Sequence, residues 1–438
     1  MKENFIEELR WRGMIQDIIP ETEEYLNSEE MAVGYLGIDP TADSLHIGHL
    51  CGIMMLSLFQ MCGHKPLILI GGATGMIGDP SGKSEERNLL TRATIDHNVE
   101  ALKKQLERFL DFDPSNPNCA EIVNNLDWLG GMSFLDFSRN IGKLITVNYM
   151  MAKDSVKKRI AGENGISFTE FTYQLLQGYD FAYLNKTKNC MIQMGGSDQW
   201  GNMTTGLELI RKLYDGKEAY ALTCPLLTKS DGSKFGKTER GNIWLDPLLT
   251  SPFEFYQFWM NVSDEEAIKY LKIFTKFSKE EIEEIENDAR ECPEARISQT
   301  ELAQYLTHCV HGKDELDKIV QAQKLLYAKN SIAEFLQYSE ERQMEFLDFL
   351  TTVIPSHLVR VINGNTNVDV LSDFTGIYKS RGDARKAIES GSVSVWGEKL
   401  SNPYDYFQSA KKVGHYWLVK TGKKNYHLII EKDGNTVL

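Results

Sequence analysis

Between residues 31 and 250, short apolar runs alternate with stretches of helical spacing, and this alternation constrains the fold more than any other feature of the chain. A run at 33–38 is followed by helical spacing over 47–62, and a run at 66–70 by helical spacing over 94–110. Residues 192–195 read as a further strand, with a glycine-containing turn and a helix near 203–213 behind them. Strand–helix–strand order predicts a parallel sheet with crossover helices, an α/β fold. In such sheets ligands gather at the carboxyl ends of the strands. The segments that leave these runs are therefore the places to look for chemistry.

Beyond about Pro252 the strand signals stop, and residues 264–350 are rich in Glu, Lys, Ala and Leu at helical spacing. A polar, turn-prone stretch at 363–367 reads as a linker. After it come a short helix, a second helix over 380–389 ended by Gly391, a strand at 393–395, and a hairpin of 416–420 with 426–431. The expected division is 1–250, a helical domain at 251–362 and a small α+β module at 367–438. The net charge is −14, yet it is uneven. Residues 371–438 carry 11 Lys+Arg and 7 Asp+Glu, against 37 and 55 in residues 1–370. A basic module on an acidic body is compatible with RNA binding through local patches. The longest apolar stretch, residues 51–59, is far short of a membrane span. The first residues read as an amphipathic helix and not as a signal peptide. The seven cysteines form no CxxC pair, so neither a zinc ribbon nor a thioredoxin motif is supported. They read as scattered thiols of a reducing cytosol.

Five segments carry the candidate chemistry. The first, Asp39-Pro-Thr-Ala-Asp-Ser-Leu-His46-Ile-Gly-His49, leaves a strand and opens a helix that Asp43 or Ser44 can cap. His46 and His49 share its first turn, Gly48 leaves room between them, and the helix N-terminus favours phosphate. The pair lacks the i, i+4 spacing and the adjacent Glu of a zinc protease. The second, Gly71-Gly-Ala-Thr-Gly-Met-Ile-Gly78-Asp79-Pro-Ser-Gly82-Lys83, fails as a P-loop because three residues, not four, separate Gly78 from Gly82. It remains a glycine-rich strand exit that brings Asp79 to a ligand. The third, Gly195-Gly-Ser-Asp198-Gln199-Trp200, can hold a ribose or an amino group, or be a turn with a buried Trp. The fourth, Lys229 to Thr238, carries Lys234 and Lys237 around a glycine, which suits either cations brought onto a polyphosphate or a solvated basic turn. In the fifth, Tyr173, Gln177 and Asp180 lie at i, i+4 and i+7 as one polar stripe on an apolar helix, and facing inward they need partners.

Together these segments resemble the tyrosyl-tRNA synthetases, class I enzymes with a Rossmann-like catalytic domain. His46-Ile-Gly-His49 is similar to their HIGH signature, and Lys234-Phe-Gly-Lys237-Thr238 to their KMSKS signature in its KFGKT form. The resemblance implies contacts of Tyr35 and Asp180 with a substrate phenol, and of Asp79, Tyr173 and Gln177 with its ammonium group. It implies Gln199 at the carboxyl end, and Gly37, Asp39, Gly48, Gly196 and Asp198 along the adenylate. Thr41, His46 and His49 would stabilise the reacting phosphates, and Lys83, Arg87, Lys234, Lys237 and Thr238 the pyrophosphate. ATP would bring Mg2+ as its chelate, with no dedicated protein cage for the ion. The implied substrates are L-tyrosine, ATP and tRNA(Tyr), the implied assembly a homodimer across the region of residues 166–171, and the implied location cytoplasmic. Residues 380–393 resemble a small RNA-binding module named after a ribosomal protein, with Arg381, Arg385 and Lys386 facing tRNA phosphates. Its usual V-N-G turn is here Val395-Trp396-Gly397. A tryptophanyl-tRNA synthetase, or a noncatalytic RNA-binding protein on a synthetase scaffold, is the rival reading.

Overall fold

Apolar runs long enough for a strand but too short for a helix pair with one another, and those buried on both faces pair in parallel. Six form the first sheet: β1 (Asp17–Ile18), β2 (Val33–Ile38), β3 (Lys65–Ile70), β4 (Glu121–Asn124), β5 (Cys190–Gly196) and β6 (Tyr220–Cys224). Their spatial order is β1-β6-β5-β2-β3-β4, parallel throughout except for β1, which runs antiparallel to β6. A two-stranded ribbon, β7 (Lys237–Thr238) and β8 (Gly241–Asn242), follows. The structure is a computed structural model and describes residues 4–81, 90–162, 165–228, 235–238, 241–328, 331–360, 364–422 and 425–432. The expected α/β class is what the chain adopts. From β2 the chain winds outward through β3 and β4, then returns to the other side of β2 for β5 and β6. That reversal opens a crevice at the carboxyl ends of β2 and β5.

Two helices line the crevice. Leu50–Met61 is the apolar run of the sequence, buried from Leu50 to Phe59 apart from the half-buried Gly52. A Cβ on Gly52 would meet Leu36 Cδ1 of β2 at 2.6 Å, so this helix lies against the sheet only because position 52 is glycine. Phe168–Lys188 carries the polar stripe and packs on Trp200–Leu213. They meet at Gly178 and Gly206: a Cβ on Gly178 would stand 3.2 Å from the Gly206 nitrogen.

Arg12 joins the N-terminal helix Phe5–Trp11 to the segment behind helix Asp264–Phe274. Its guanidinium donates to the carbonyls of Lys272, Thr275 and Phe277 at 2.7, 2.8 and 2.7 Å, and pairs with Glu8 at 2.7 Å. Arg12 is buried, and of its carbonyl acceptors that of Thr275 is buried with it while those of Lys272 and Phe277 are partly so.

The chain separates into two compact units, residues 1–250 with 257–310, and residues 251–256 with 311–438. This differs from the expected helical domain at 251–362. Ala322, Leu325, Leu326, Phe335, Leu347 and Leu350, from helices Lys313–Tyr327, Ser331–Phe335 and Glu340–Leu350, share one core with Val395, Trp417 and Leu428 of the C-terminal sheet. An amphipathic pattern reports that a face is buried, not which core receives it. The second sheet comprises β9 (Ser356–Val359), β10 (Val393–Val395), β11 (Glu398–Lys399), β12 (Tyr416–Thr421) and β13 (Asn425–Glu431), in the order β11-β10-β12-β13-β9. The expected hairpin is β12 with β13, and β9, unforeseen in the sequence, adds in parallel to β13. Trp396 (φ 47°) and Gly397 (φ 83°) both take left-handed backbone in the turn between β10 and β11. An Asn fits such a position at little cost. Trp396 occupies it with its ring stacked on Phe335, at 5.6 Å and 5°.

Arg12→Met keeps most of the side-chain volume but leaves one buried and two partly buried carbonyls without this donor. The expected loss is about 3 kcal/mol, read as an earlier urea midpoint for the first unit. An unchanged midpoint would mean that solvent replaces the guanidinium.

Candidate functional site

β2 ends at Ile38, and the next residue, Asp39, is bonded from two sides. Tyr173 Oη donates to Asp39 Oδ2 at 2.8 Å and Thr74 Oγ1 donates to Oδ1 at 2.7 Å. Thr74 in turn accepts from Asn125 Nδ2 at 3.0 Å, and the same amide donates to Asp180 Oδ2 at 3.0 Å. Trp128 Nε1 completes the run at Asp180 Oδ1, 2.8 Å away. The stripe on helix Phe168–Lys188 therefore faces inward, and each member has a protein partner: Asp39 for Tyr173, Asn202 for Gln177 at 2.9 Å, and Asn125 with Trp128 for Asp180.

Asp180 is buried, and burial pushes its carboxyl up to about 8 against the pull of the Asn125 and Trp128 hydrogen bonds. Tyr35, on β2, is buried as well. Desolvation first, and then the charge of Asp180, hold its phenol well above the usual value. The Tyr35 hydroxyl has no hydrogen-bond partner, and neither has Oε1 of Gln193. Tyr35 and Gln193 are register partners on β2 and β5, so both side chains rise from the same face of the sheet. Two buried polar atoms without partners, one of them near a buried carboxyl, suit a ligand with an aromatic body and a polar tip.

A second cluster lies at the exits of β3 and β5. Asp79 follows Gly78, whose φ is 88°. It accepts from the Ser81 amide at 2.9 Å and from Gln199 Nε2 at 2.8 Å. Asp198 sits close enough to the end of β5 that a Cβ on Gly196 would fall 2.7 Å from its Oδ1. Gly37, Thr41 and Gly48 are exposed, which leaves backbone open to a ligand.

The two histidines are arranged differently from the expected cap. The cap is His46 itself, not Asp43 or Ser44: its Nδ1 accepts from the Gly48 amide at 3.1 Å, and His49 Nδ1 accepts from the His46 amide at 3.1 Å. Ser44 instead donates to its own neighbour's carbonyl, Leu45, at 2.7 Å. The rings stack at 3.9 Å. With both Nδ1 atoms accepting, each neutral ring carries its proton on Nε2 and can donate from there. A Cβ on Gly48 would meet the His46 ring at 2.8 Å, so glycine is what permits the stack.

Lys83, Arg87 and Lys234 lie outside the described residues, and of Lys237 and Thr238 only the backbone, as β7, is described. Among the described residues no group of three or more His, Cys, Asp or Glu side chains could hold a metal ion, and no helix is long and apolar enough to cross a membrane. Sequence reasoning passed over Thr74, Asn125, Trp128, Gln193 and Asn202. Asn125 and Trp128 follow β4, whose four half-buried residues give no period that would mark them.

A Cβ on Gly71 would lie 2.1 Å from Asp39 Oδ1 and 2.3 Å from Thr74 Oγ1, whereas one on Gly37 would find only Leu69 Cδ2 at 3.8 Å. Gly71→Ala should therefore destabilise the first unit by about 1–3 kcal/mol, while Gly37→Ala stays near the parent. Paired thermal melts check this, and equal melting of the two variants would overturn it.

With this geometry in view, the relatives are informative. The family described as tRNA synthetases class I (W and Y) matches residues 27–328, and the tyrosine--tRNA ligase SYY-like C-terminal domain matches residues 351–429. The chain is 56% identical over 434 residues to a tyrosine--tRNA ligase of Bacteroides thetaiotaomicron, covering 98% of this chain and 100% of the relative. A tyrosine--tRNA ligase of Porphyromonas gingivalis is 54% identical, covering 98% and 99%. Among solved structures, a C-terminally truncated mitochondrial tyrosyl-tRNA synthetase of Aspergillus nidulans superposes with a TM-score of 0.66 at 31% identity, over 74% of this chain and 94% of that one. The chain belongs to the class I tRNA synthetases of the W and Y group, on the tyrosine--tRNA ligase branch.

Proposed function

We propose that this chain activates L-tyrosine with ATP and transfers the tyrosyl group to the 3′ end of tRNA(Tyr). The observation that carries the reading is the buried, unpartnered hydroxyl of Tyr35 beside the buried carboxyl of Asp180. A phenol entering this pocket meets an acceptor and a donor that a phenyl ring would leave unpaired. Tyrosyl-tRNA synthetases are themselves a standard instance of that discrimination.

The tyrosine carboxylate attacks the α-phosphorus of ATP. A new P–O bond forms, the bond to the β-phosphate oxygen breaks, and pyrophosphate leaves. A terminal ribose hydroxyl of tRNA then attacks the acyl carbon and AMP leaves. Both steps need positioning and charge stabilisation more than covalent help from the protein. Asp79, Tyr173 and Gln177 hold the ammonium group. Tyr173 donates its own proton to Asp39 and so keeps lone pairs to accept one. Gln199 must leave Asp79 to do its part at the carboxylate. Gly37, Asp39, Gly48, Gly196 and Asp198 line the adenylate. Thr41 and the Nε2 donors of His46 and His49 stabilise the phosphates, and Lys83, Arg87, Lys234, Lys237 and Thr238 the departing pyrophosphate. Mg2+ enters as the chelate of ATP. We assign catalysis to residues 1–250 and tRNA contacts to the helical residues 251–362 and the module 367–438, in an enzyme of the cytoplasm.

Amino-acid-dependent exchange of pyrophosphate into ATP, without tRNA, tests the reading. Tyrosine should support exchange, and phenylalanine and tryptophan should not. Tyr35→Phe should raise the KM for tyrosine about tenfold without loss of thermal stability, because the hydroxyl it removes has no protein partner. Exchange driven by tryptophan would move the chain to the sister specificity. No exchange with any of the three would favour the noncatalytic alternative.

The enzyme acts as a homodimer. Phe134, Leu135, Val147 and Phe168 are 67%, 77%, 58% and 68% exposed, and the rings of Phe134 and Phe168 meet edge-on at 6.5 Å. Large apolar side chains clustered at the surface mark contact sites. The bidentate pair of Arg159 and Glu170, both buried, with both contacts at 2.7 Å, fixes the start of the helix that presents Phe168. Phe168→Asp should give a monomer by light scattering, and a dimer of unchanged mass would refute the assignment.

A further inference from the structure

The sequence assigns RNA contacts to Arg381, Arg385 and Lys386 together, but the structure separates them. Arg381 is spent within the protein: its Nε donates to Asp373 Oδ2 at 2.9 Å, and its terminal nitrogen bonds Asp369. Arg385, one turn on, is exposed and lies next to Tyr404, which raises the pKa of its guanidinium. Ala384 and Ile388 are the buried face of this helix, Arg381–Glu389, and they turn Arg385 and Lys386 outward.

Tyr404 and Tyr406 are 63% and 61% exposed, yet the loop that carries them is tightly held. Its backbone accepts from the amides of Asn367 at 2.9 Å, through Asp405, and of Val368 at 3.1 Å, through Pro403. Asn367 Nδ2 adds a bond to the Asn402 carbonyl at 2.8 Å, and the Phe407 amide donates to Asn365 at 3.0 Å. Asn402 Oδ1 accepts from the Tyr404 amide at 3.1 Å, and its amide group donates to Asp405 at 2.7 Å. Phe407 is buried against Trp417, ring to ring at 5.3 Å. Two large aromatic rings are thus held out in water on a rigid loop. Apolar burial does not explain them, and a partner would meet little ordering cost.

We propose that Tyr404 and Tyr406, with Arg385 beside them, form a stacking platform for unpaired bases of the tRNA substrate. This rests on the tRNA-ligase reading above. Single-stranded nucleic acid is bound where aromatic faces take the bases and cations track the backbone. The module supplies both, with 11 Lys+Arg against 7 Asp+Glu in residues 371–438. A protein partner would need an apolar surface, whereas Tyr404 has the cation of Arg385 beside it and the module carries an excess of positive charge. The nearby carboxylates are Asp405, which Asn402 engages, and Glu389, which faces Arg385.

The test uses the full chain and measures the KM for tRNA(Tyr) in aminoacylation alongside tyrosine-dependent pyrophosphate exchange. Tyr404→Ala with Tyr406→Ala should raise the KM for tRNA by about tenfold or more, the loss expected from unstacking a base. Tyr404→Phe with Tyr406→Phe keeps the rings and should stay within about twofold of the parent. Arg385→Gln should weaken tRNA binding and lower the slope of log affinity against log salt by about one. Pyrophosphate exchange should be the same in all variants, because it needs no tRNA. A parent-like KM in the alanine pair would overturn the platform. So would an equal loss in the phenylalanine pair, or a loss of exchange that reveals a general structural role. Absence of exchange in the parent would sink the ligase reading instead, and direct tRNA binding by the same variants would still decide the platform.

Discussion

One carboxylate organises the carboxyl end of the first sheet. Asp39, just past β2, holds Tyr173 of one helix and Thr74 of the β3 exit, and through Thr74 it connects to Asn125, Asp180 and Trp128. Four chain segments that are remote in sequence are thereby fixed in one hydrogen-bonded network. Polar groups buried in a low-dielectric site are costly when half satisfied and rigid when fully satisfied. Glycine makes the network possible: Gly71 leaves the space that Asp39 and Thr74 occupy, and Gly178 with Gly206 brings the helix of Tyr173 and Asp180 against its neighbour. Glycine placement along the chain thus does more for the site than glycine number.

Members of the site satisfy one another in part. Gln199 bonds Asp79 and Asn202 bonds Gln177, so a charged ligand has to exchange these contacts for its own. Tyr35 Oη and Gln193 Oε1 are buried without protein partners, so a ligand that can hydrogen-bond there displaces no protein contact. Leaving a buried polar group unsatisfied costs about 1–3 kcal/mol, which is the currency in which such a pocket tells a phenol from a phenyl ring. The ammonium end is therefore adaptable and the phenol end selective.

What the sequence disclosed follows from what is local. The strands β2, β3 and β5 announce themselves by apolar runs, and their exits by glycine and charge. The stripe of Tyr173, Gln177 and Asp180 follows from helical periodicity alone. β4 was not visible, because all four of its residues are half-buried and no period emerges from Glu-Ile-Val-Asn. Asn125 and Trp128, which follow it, were lost with it. The sequence places helices 313–350 inside a helical domain at 251–362 because an amphipathic face does not name its partner, and the partner lies across about 70 residues, in Trp396, Trp417 and Leu428. The fate of Arg381 was illegible for the same reason. Its charge is plain in the sequence, but the carboxylates that absorb it, Asp369 and Asp373, are brought to it only by the fold.

The two signatures of the resemblance are joined by backbone hydrogen bonds on either side of His46. The Ile47 amide donates to the Ile243 carbonyl at 3.0 Å, and the Ile243 amide donates to Gly236 at 3.1 Å. Leu245 reaches back to Leu45 at 2.8 Å, and His46 bridges to Trp244. Gly236 takes φ 80°, and a Cβ there would strike Ile47 Cγ1 at 2.8 Å, so the glycine of the KFGKT segment lies directly on the isoleucine of the HIGH segment. Beside it, Phe235 is buried and stacks on Phe274 at 5.5 Å, with Tyr270 4.9 Å away. Phe235 and Gly236 are thereby fixed against the segment that carries the two histidines, so the backbone of Lys237 and Thr238 leaves from a set position, and a positioned charge costs little reorganisation at the moment of reaction.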